Sequence, residues 1–130
     1  MPEAKGTFAV HNWEGETYEE HEGAVLSRAS LTKTFEGDFK GTSTAELLLA
    51  EANNARAYVG MERLDGTVGG ASGTFVVMHS ATQVMNGSEW LKVDIVPGSG
   101  TAGLTGITGS MKITVTEDGS HTYELIYEVN

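Results

Sequence analysis

The amino-acid sequence predicts an all-β protein, an antiparallel sheet of about eight or nine short strands that closes into a barrel or folds into a sandwich. Runs rich in Thr, Val, Ile, Tyr and Phe are separated by Gly, Asn and Asp, and few windows place apolar residues at helical spacing. Glycine supplies 17 of the 130 residues and proline only 2. Glycine enrichment without proline indicates turns and bulges rather than disorder.

Length and charge narrow the class of protein. A chain of 130 residues has the size of one domain, so residues 1–130 are expected to share one core. The 18 acidic residues exceed the 8 lysines and arginines, and the net charge of -10 argues against nucleic acid or anionic membranes as partners. The chain shows neither an apolar run near the roughly 20 residues of a membrane span nor a secretion signal, which predicts a cytoplasmic protein.

The first half of the chain contains one acidic segment and one long strand-like stretch. Residues 14–22 hold five glutamates in nine positions and are expected to form a solvated loop. Within residues 24–52, the Glu-Gly-Asp at 36–38 can form a turn between two strands or a bulge in one. Residues 45–52 have some helical propensity, but the threonines before them and a turn signal at Asn53-Asn54 favour a strand.

Turn-forming pairs divide the second half of the chain. These pairs are Asp65-Gly66, Gly69-Gly70 and Asn86-Gly87. Asn86-Gly87 is the strongest local signal, because a type I′ turn needs positive φ at both central residues. Residues 117–120 separate the last two strands. We expect strands at residues 6–11, 56–64, 73–84, 89–96, 111–116 and 121–129, in addition to those within 24–52.

Residues 98–103 (GSGTAG) match the G-x-G-x-x-G pattern of dinucleotide-binding loops. That pattern binds a pyrophosphate only where a strand leads into the glycines and a helix begins at the third. Here the chain continues with further glycines and β-branched residues (LTGITGSMKITV), a pattern typical of a strand. We therefore expect no nucleotide and no other cofactor, and we expect the glycines to turn a corner of the sheet in close packing.

Four segments resemble, in matching order over residues 6–129, the bacterial family known as domain of unknown function 3224. They are RASLTKTFEGDFKGTSTAE, YVGMERLDGTVGGASGTFVVMHS, VPGSGTAGLTGITG and HTYELIYEV. The family is placed among allene-oxide-cyclase-like, calycin-like barrels. The resemblance implies a small antiparallel β-barrel of about eight strands with a central cavity, and it implies no established activity. Asp94 stands where the family usually has an apolar residue.

Glu46, Glu62 and His79 are candidate catalytic residues, because they are polar residues inside strand-like runs. A carboxylate and an imidazole that face a barrel interior could act as general acid and base, and burial would raise the pKa of the carboxyl towards neutrality. Register decides which way they point. A two-residue turn at Asn53-Asn54 sets Glu46 opposite Met61, whereas a loop one residue longer puts it on the face of Glu62.

The direction of His79 depends on the next hairpin. If Asn86-Gly87 is a two-residue turn, His79 pairs with Asp94, and the opposite face of the hairpin is the more uniformly apolar one. The pattern then favours a His79 that points away from the core, beside Asp94, unless both faces are covered.

Arg28, Tyr58 and Trp90 are candidate ligand-binding residues. Arg28 could bind a ligand carboxylate through its guanidinium group or pair with a nearby glutamate. Tyr58 and Trp90, like Trp13, could line an apolar pocket or serve as ordinary packing. The 4 histidines lack metal-ligand spacing, and no nucleophile elbow or Ser-His-Asp order is evident, so we expect neither a metal nor acyl-transfer chemistry.

These features favour a barrel whose interior binds a small, largely apolar molecule. As an enzyme it would be a cofactor-free cyclase or isomerase in which Glu62, Glu46 or His79 moves a proton. This step rests on analogy with allene-oxide-cyclase-like barrels, and a shared fold does not establish a function. Two alternatives stay open: a non-catalytic carrier or sensor, and a structural module that uses an apolar face as a homo-oligomer interface.

Overall fold

The computed structural model describes residues 2–85 and 89–130, except for the side chain of Glu89. Its eight strands form one closed antiparallel barrel in which each strand pairs with the next and the last returns to the first. The barrel and the strand count expected from the sequence are confirmed. The strands are β1 (Glu3–His21), β2 (Ala24–Gly37), β3 (Phe39–Ala52), β4 (Ala55–Val68), β5 (Ala71–Val84), β6 (Glu89–Ile95), β7 (Thr108–Val115) and β8 (His121–Glu128).

The two ends of the barrel differ. In an up-and-down barrel, successive turns alternate between the ends. The β2–β3 and β4–β5 turns, the long β6–β7 connection and both chain termini therefore share one end, called the closed end below. The β1–β2, β3–β4 and β7–β8 turns lie at the other end, called the open end. Large apolar side chains fill the closed half. The fully buried ones are Phe35, Phe39, Phe75, Leu64, Leu104, Ile107 and Leu125.

The β6–β7 connection, residues 96–107, plugs the closed end. It includes a short 3-10 turn at Ala102–Leu104, and it inserts Leu104 and Ile107 into the core. The backbone N–H of Thr101 donates to the carbonyl of Thr74 on β5 over 2.9 Å. The glycines permit this packing, since a Cβ on Gly100 would lie 2.0 Å from the carbonyl oxygen of Leu104. The sequence correctly indicated a closely packed corner here, but β7 begins only at Thr108.

The acidic segment at residues 14–22 is not the loop that the sequence predicted. β1 runs to His21 and pairs with β2, with His21 opposite Ala24 as the last pair. The register shifts between His11 and Glu14 and again between Thr17 and Glu19. β1 pairs with β8 only as far as Phe8. Four of the five glutamates lie in the strand because β2 supplies the hydrogen-bond partners of this part of β1, and Glu22 lies in the turn that follows.

The turn signals had mixed outcomes. Gly69-Gly70 is a turn with φ values of 59° and 81°, and Asn53-Asn54 joins β3 to β4. At residues 36–38 the chain turns between two strands, with β2 ending at Gly37 and Asp38 joining it to β3. Asp65-Gly66 is not a turn but lies inside β4, where a Cβ on Gly66 would lie 2.3 Å from the carbonyl oxygen of Lys40. The predicted turn at Asn86-Gly87 lies outside the described residues. In the part of the chain that the structure describes, no helix has the length and apolar character of a membrane span.

Candidate functional site

β5 and β6 pair one residue out of the register that the sequence predicted. His79 lies opposite Val93, and Met78 lies opposite Asp94. His79 therefore points into the barrel, where it is 3% exposed. The prediction that His79 points outwards beside Asp94 is wrong, because a shift of one residue moves every side chain of a strand to the other face. Asp94 lies on the outer face of β6, and its carboxylate is 3.4 Å from the ammonium of Lys92.

The two candidate glutamates lie on opposite faces of the sheet. The β3–β4 turn has two residues and sets Glu46 opposite Met61, so Glu46 is exposed on the outer surface. Glu62 pairs with Ala45 on β3 and Val77 on β5 and is 1% exposed inside the barrel. The barrel thus brings Glu62 and His79 together and leaves Glu46 outside.

Four buried polar residues from four strands, Lys33, Ser43, Glu62 and His79, form what we call the polar cluster. The Glu62 carboxylate is its centre. Oε1 lies 3.1 Å from Lys33 Nζ and 2.7 Å from His79 Nε2, and Oε2 accepts a 2.5 Å hydrogen bond from Ser43 Oγ. Every fully buried side-chain nitrogen or oxygen in the described residues has a hydrogen-bond partner.

Tyr58 extends the polar cluster by one residue. Its hydroxyl lies 3.3 Å from His79 Nδ1. Because a carboxylate only accepts hydrogen bonds, Nε2 of His79 carries the proton that faces Glu62. In the tautomer without a proton on Nδ1, that nitrogen accepts a hydrogen bond from the Tyr58 hydroxyl. A continuous hydrogen-bonded chain therefore runs from Tyr58 through His79 to Glu62.

The electrostatics of Glu62 differ from the sequence-based expectation. Burial by itself would raise the pKa of this carboxyl, but the hydrogen bond from His79, the charges of Lys33 and His79 and the hydrogen bond from Ser43 together lower it to about 2. The pKa of Tyr58 is raised by burial and by the negative charge of Glu62. At neutral pH the site thus holds a fixed carboxylate and a neutral phenol. Glu62 is a poor proton acceptor, and its chemical role is that of a permanent anion.

A cavity of about 440 Å³ lies between the polar cluster and the open end, within the roughly 300–1,000 Å³ of small-molecule pockets. Its walls are mostly apolar, and Lys33, Tyr58, Glu62 and His79 reach its inner part. Arg56 and Gln83 line it near the strand ends of the open end. The apolar wall includes Leu31, Ala45, Leu47, Leu49, Ala81 and Leu91.

The candidate ligand-binding residues have separate locations. Tyr58 lines the cavity beside the polar cluster. Trp90 and Trp13 are about half exposed and line its outer part. Arg28 is exposed on the outside of the barrel, where its guanidinium lies 5.7 Å from the ring centre of Tyr18. Arg28 is therefore not part of the cavity.

Sequence reasoning missed Lys33 and Ser43. A signal for Lys33 was present in the sequence. Leu31, Lys33 and Phe35 are two residues apart and so share one face of β2, and all three are buried. A lysine at a position that alternation assigns to the apolar face is a candidate for a buried cation. Lys33 Nζ also lies 4.6 Å from the ring centre of Phe8. Ser43 offered no comparable signal in a segment rich in Thr and Ser. Among the described residues, no group of three or more His, Asp or Glu side chains is arranged to hold a metal ion.

Comparisons with known proteins agree with the fold and assign no activity. Residues 4–127 match the model of a family described as "Protein of unknown function (DUF3224)". A crystal structure of a DUF3224 protein of unknown function from Shewanella oneidensis MR-1 is similar over 100% of this chain and 98% of that chain, with 32% sequence identity and a TM-score of 0.89. A search of curated proteins finds no significant match.

Proposed function

The chain belongs to the DUF3224 family of proteins of unknown function, and from that premise we propose that the open half of the barrel binds a small, largely apolar molecule with one hydrogen-bond acceptor. The closed half is filled by its own side chains, whereas the open half contains the cavity of about 440 Å³. Apolar walls favour an apolar ligand, since transfer of apolar surface out of water is favourable by roughly 25 cal/mol per Å², from which the entropic cost of association is subtracted.

The observation that carries the proposal is the ion pair at the inner part of the cavity. Lys33 and Glu62 are 8% and 1% exposed. A buried ion pair contributes little net stability compared with apolar residues of similar volume, so stability alone gives no reason for it. Lys33 has three N–H donors, of which one meets Glu62 and one side faces the ring of Phe8. A remaining donor is available to a carbonyl or hydroxyl oxygen of a ligand.

The first test uses the neutral fluorescent probe N-phenyl-1-naphthylamine. Wild-type protein is expected to bind it, and Ala81→Trp, which fills the cavity, is expected to weaken binding at least about tenfold. Ser80→Trp is the matched control, because Ser80 is the neighbouring residue on the outer face of β5 and pairs with Val59 and Lys92. Equal probe affinity in all three proteins, or no binding to the wild type, contradicts the proposal.

Native mass spectrometry of gently purified protein complements the probe. A co-purified small molecule released by denaturation would identify a ligand. The same spectrum gives the number of subunits and so tests the homo-oligomer, which stays a prediction.

A second candidate, a cofactor-free isomerase or cyclase, is favoured by the Tyr58–His79–Glu62 hydrogen-bonded chain. In this proposal the Tyr58 hydroxyl exchanges a proton with the ligand while His79 Nδ1 holds or returns that proton and Glu62 stabilises the imidazolium. Glu46 has no part in it, because it lies on the outer surface.

The test of this candidate follows deuterium incorporation from D₂O into the released ligand. Turnover by the wild type and its loss in Tyr58→Phe, with probe affinity unchanged, are expected of an enzyme. No incorporation with the wild type points to a carrier or sensor.

A further inference from the structure

Among the residues that the structure describes, Lys33 is the one lysine that lines the cavity. We propose that Lys33 binds apolar aldehydes and ketones covalently, as a protonated imine with Glu62 as its counter-ion. This inference rests on the proposed binding function and names the class of ligand.

The position of Lys33 sets it apart from the other lysines. Its side chain is 9% exposed, and it lines the cavity. The side chains of Lys5, Lys40 and Lys92 are 62–75% exposed, and Lys112 is also exposed. An apolar carbonyl compound that enters the cavity therefore meets Lys33 alone. Lysine amines form imines with carbonyl ligands where a pocket holds the two groups together.

The charges around Lys33 suit a neutral carbonyl and disfavour a carboxylate. Glu62 Oε1 lies 3.1 Å from Nζ, so the positive charge of Lys33 is already balanced. A ligand carboxylate at Nζ would place a second anion beside Glu62 in a low-dielectric site, and that repulsion is costly. A neutral carbonyl oxygen accepts a hydrogen bond from Nζ without this penalty.

The same charges suit the imine itself. A protonated imine carries the same single positive charge at the same nitrogen, so the ion pair with Glu62 persists after the reaction. The carboxylate is held by Ser43 on Oε2 and by His79 on Oε1, and these hydrogen bonds stabilise it as the anion.

The reaction balances without an oxidant, a reductant or an external acid. One Nζ proton passes to the carbonyl oxygen that accepts its hydrogen bond, and the freed lone pair attacks the carbonyl carbon, so that the C–N bond forms while the C=O π pair becomes the new O–H bond. Glu62 stays an anion throughout and balances the positive charge on the nitrogen. A second Nζ proton then joins the same oxygen, the C–O bond breaks and water leaves as the nitrogen lone pair forms C=N. One ammonium and one aldehyde give one protonated imine and one water.

Reductive trapping tests the proposal. The protein is incubated with decanal and sodium cyanoborohydride at neutral pH, and each lysine is then examined for the decyl adduct by peptide mass spectrometry. Lys33 is expected to be labelled at an aldehyde concentration at least about tenfold below that needed for the other lysines, because the cavity raises the local concentration. Decanoate should compete poorly and decanol better.

Matched variants separate a cavity effect from general reactivity. Lys33→Arg keeps a cation beside Glu62 but cannot form an imine, so its adduct is lost. Ala81→Trp lowers labelling of Lys33 and leaves the surface lysines unchanged, and Ser80→Trp changes neither. If Lys33→Arg does not fold, the test rests on the ratio of Lys33 labelling to surface-lysine labelling in the wild type, Ala81→Trp and Ser80→Trp.

Labelling of Lys33 no stronger than that of the surface lysines overturns the proposal. If N-phenyl-1-naphthylamine still binds in that case, the apolar binding function survives and only the covalent step fails. If the probe does not bind either, both fail.

Discussion

At the scale of single residues, the interior of the barrel depends on one carboxylate. Glu62 is held by three partners from three other strands: Lys33, Ser43 and His79. Because each partner favours the charged form, together they more than offset the cost of burying it. The sequence-based expectation of a raised pKa considered burial alone, and the partners reverse its sign.

This lowered pKa predicts an acid-dependent stability. The pKa of Glu62 is about 2 in the folded protein and 4.5 as an ordinary glutamate, so its stabilising contribution is complete above about pH 4.5 and is lost as the pH falls towards 2. The loss is expected to be roughly 3 kcal/mol. Urea unfolding of the wild type and of Glu62→Gln at several pH values between 7 and 2 measures this loss. The difference in free energy of unfolding between the two proteins should shrink as the pH falls.

The control for this measurement is Glu46→Gln, an exposed glutamate on β3, which should follow the wild type at every pH. Asp118 also has a pKa lowered to about 2, by hydrogen bonds from Thr116 and Ser120, but it is present in all three proteins and cancels in the comparison. A constant difference between wild type and Glu62→Gln from pH 7 to pH 2 would contradict the assignment.

At the scale of elements, β1 and the β6–β7 connection form the irregular parts of the barrel: an edge strand and a plug at the closed end. Beyond Phe8, β1 pairs with β2 and no longer with β8, so part of it is an edge strand. Charged side chains and bulges are the means by which natural sheets prevent such edges from pairing with other molecules. The four glutamates of residues 14–21 and the two register shifts fit this role.

The connection at the closed end depends on glycine at position 100. In Gly100→Ala the new Cβ would meet the carbonyl oxygen of Leu104 at 2.0 Å and Cγ2 of Ile107 at 2.9 Å. Since the first of these is a backbone atom, it cannot rotate away, and a loss of about 1–3 kcal/mol in the free energy of unfolding is expected. Thermal and urea unfolding measure this loss.

Gly15→Ala is the matched control for Gly100→Ala. A Cβ on Gly15 would meet Nε1 of Trp13 at 3.2 Å and no backbone atom nearer than 3.6 Å, and the Trp13 side chain is half exposed and able to move. Gly15→Ala should therefore lower the free energy of unfolding by clearly less than Gly100→Ala does. Equal losses in the two variants would show that the connection does not pack as tightly as described.

At the scale of the whole molecule, the two halves of the barrel interior differ, since one is filled by side chains and the other contains the cavity. The aromatic and aliphatic core, together with the β6–β7 connection, fills the closed half. The polar cluster lies between that core and the cavity, where the strands β2 to β5 extend towards the open end. Packing in the filled half can hold the polar cluster in place, because the same strands run through both halves.

The sequence by itself determined the all-β class and most strand positions, because alternation and turn chemistry are local properties of the chain. Those patterns left a barrel and a sandwich open, and the resemblance to the DUF3224 family indicated the barrel. The sequence also identified Glu62 and His79 as residues of interest. The wider allene-oxide-cyclase-like placement stays a prediction.

Only the tertiary structure decided which candidates meet. Glu62 contacts residues 17, 19 and 29 positions away in the chain, and such contacts depend on how four strands pair. The register of β5 and β6 differs by one residue from the simplest hairpin, and that single step turned His79 inwards. Lys33, which the sequence analysis did not select, is the cation of the site because β3 pairs with both β2 and β4. Lys33 lies opposite Ser43 and Glu62 opposite Ala45, and these registers bring Nζ within 3.1 Å of Glu62.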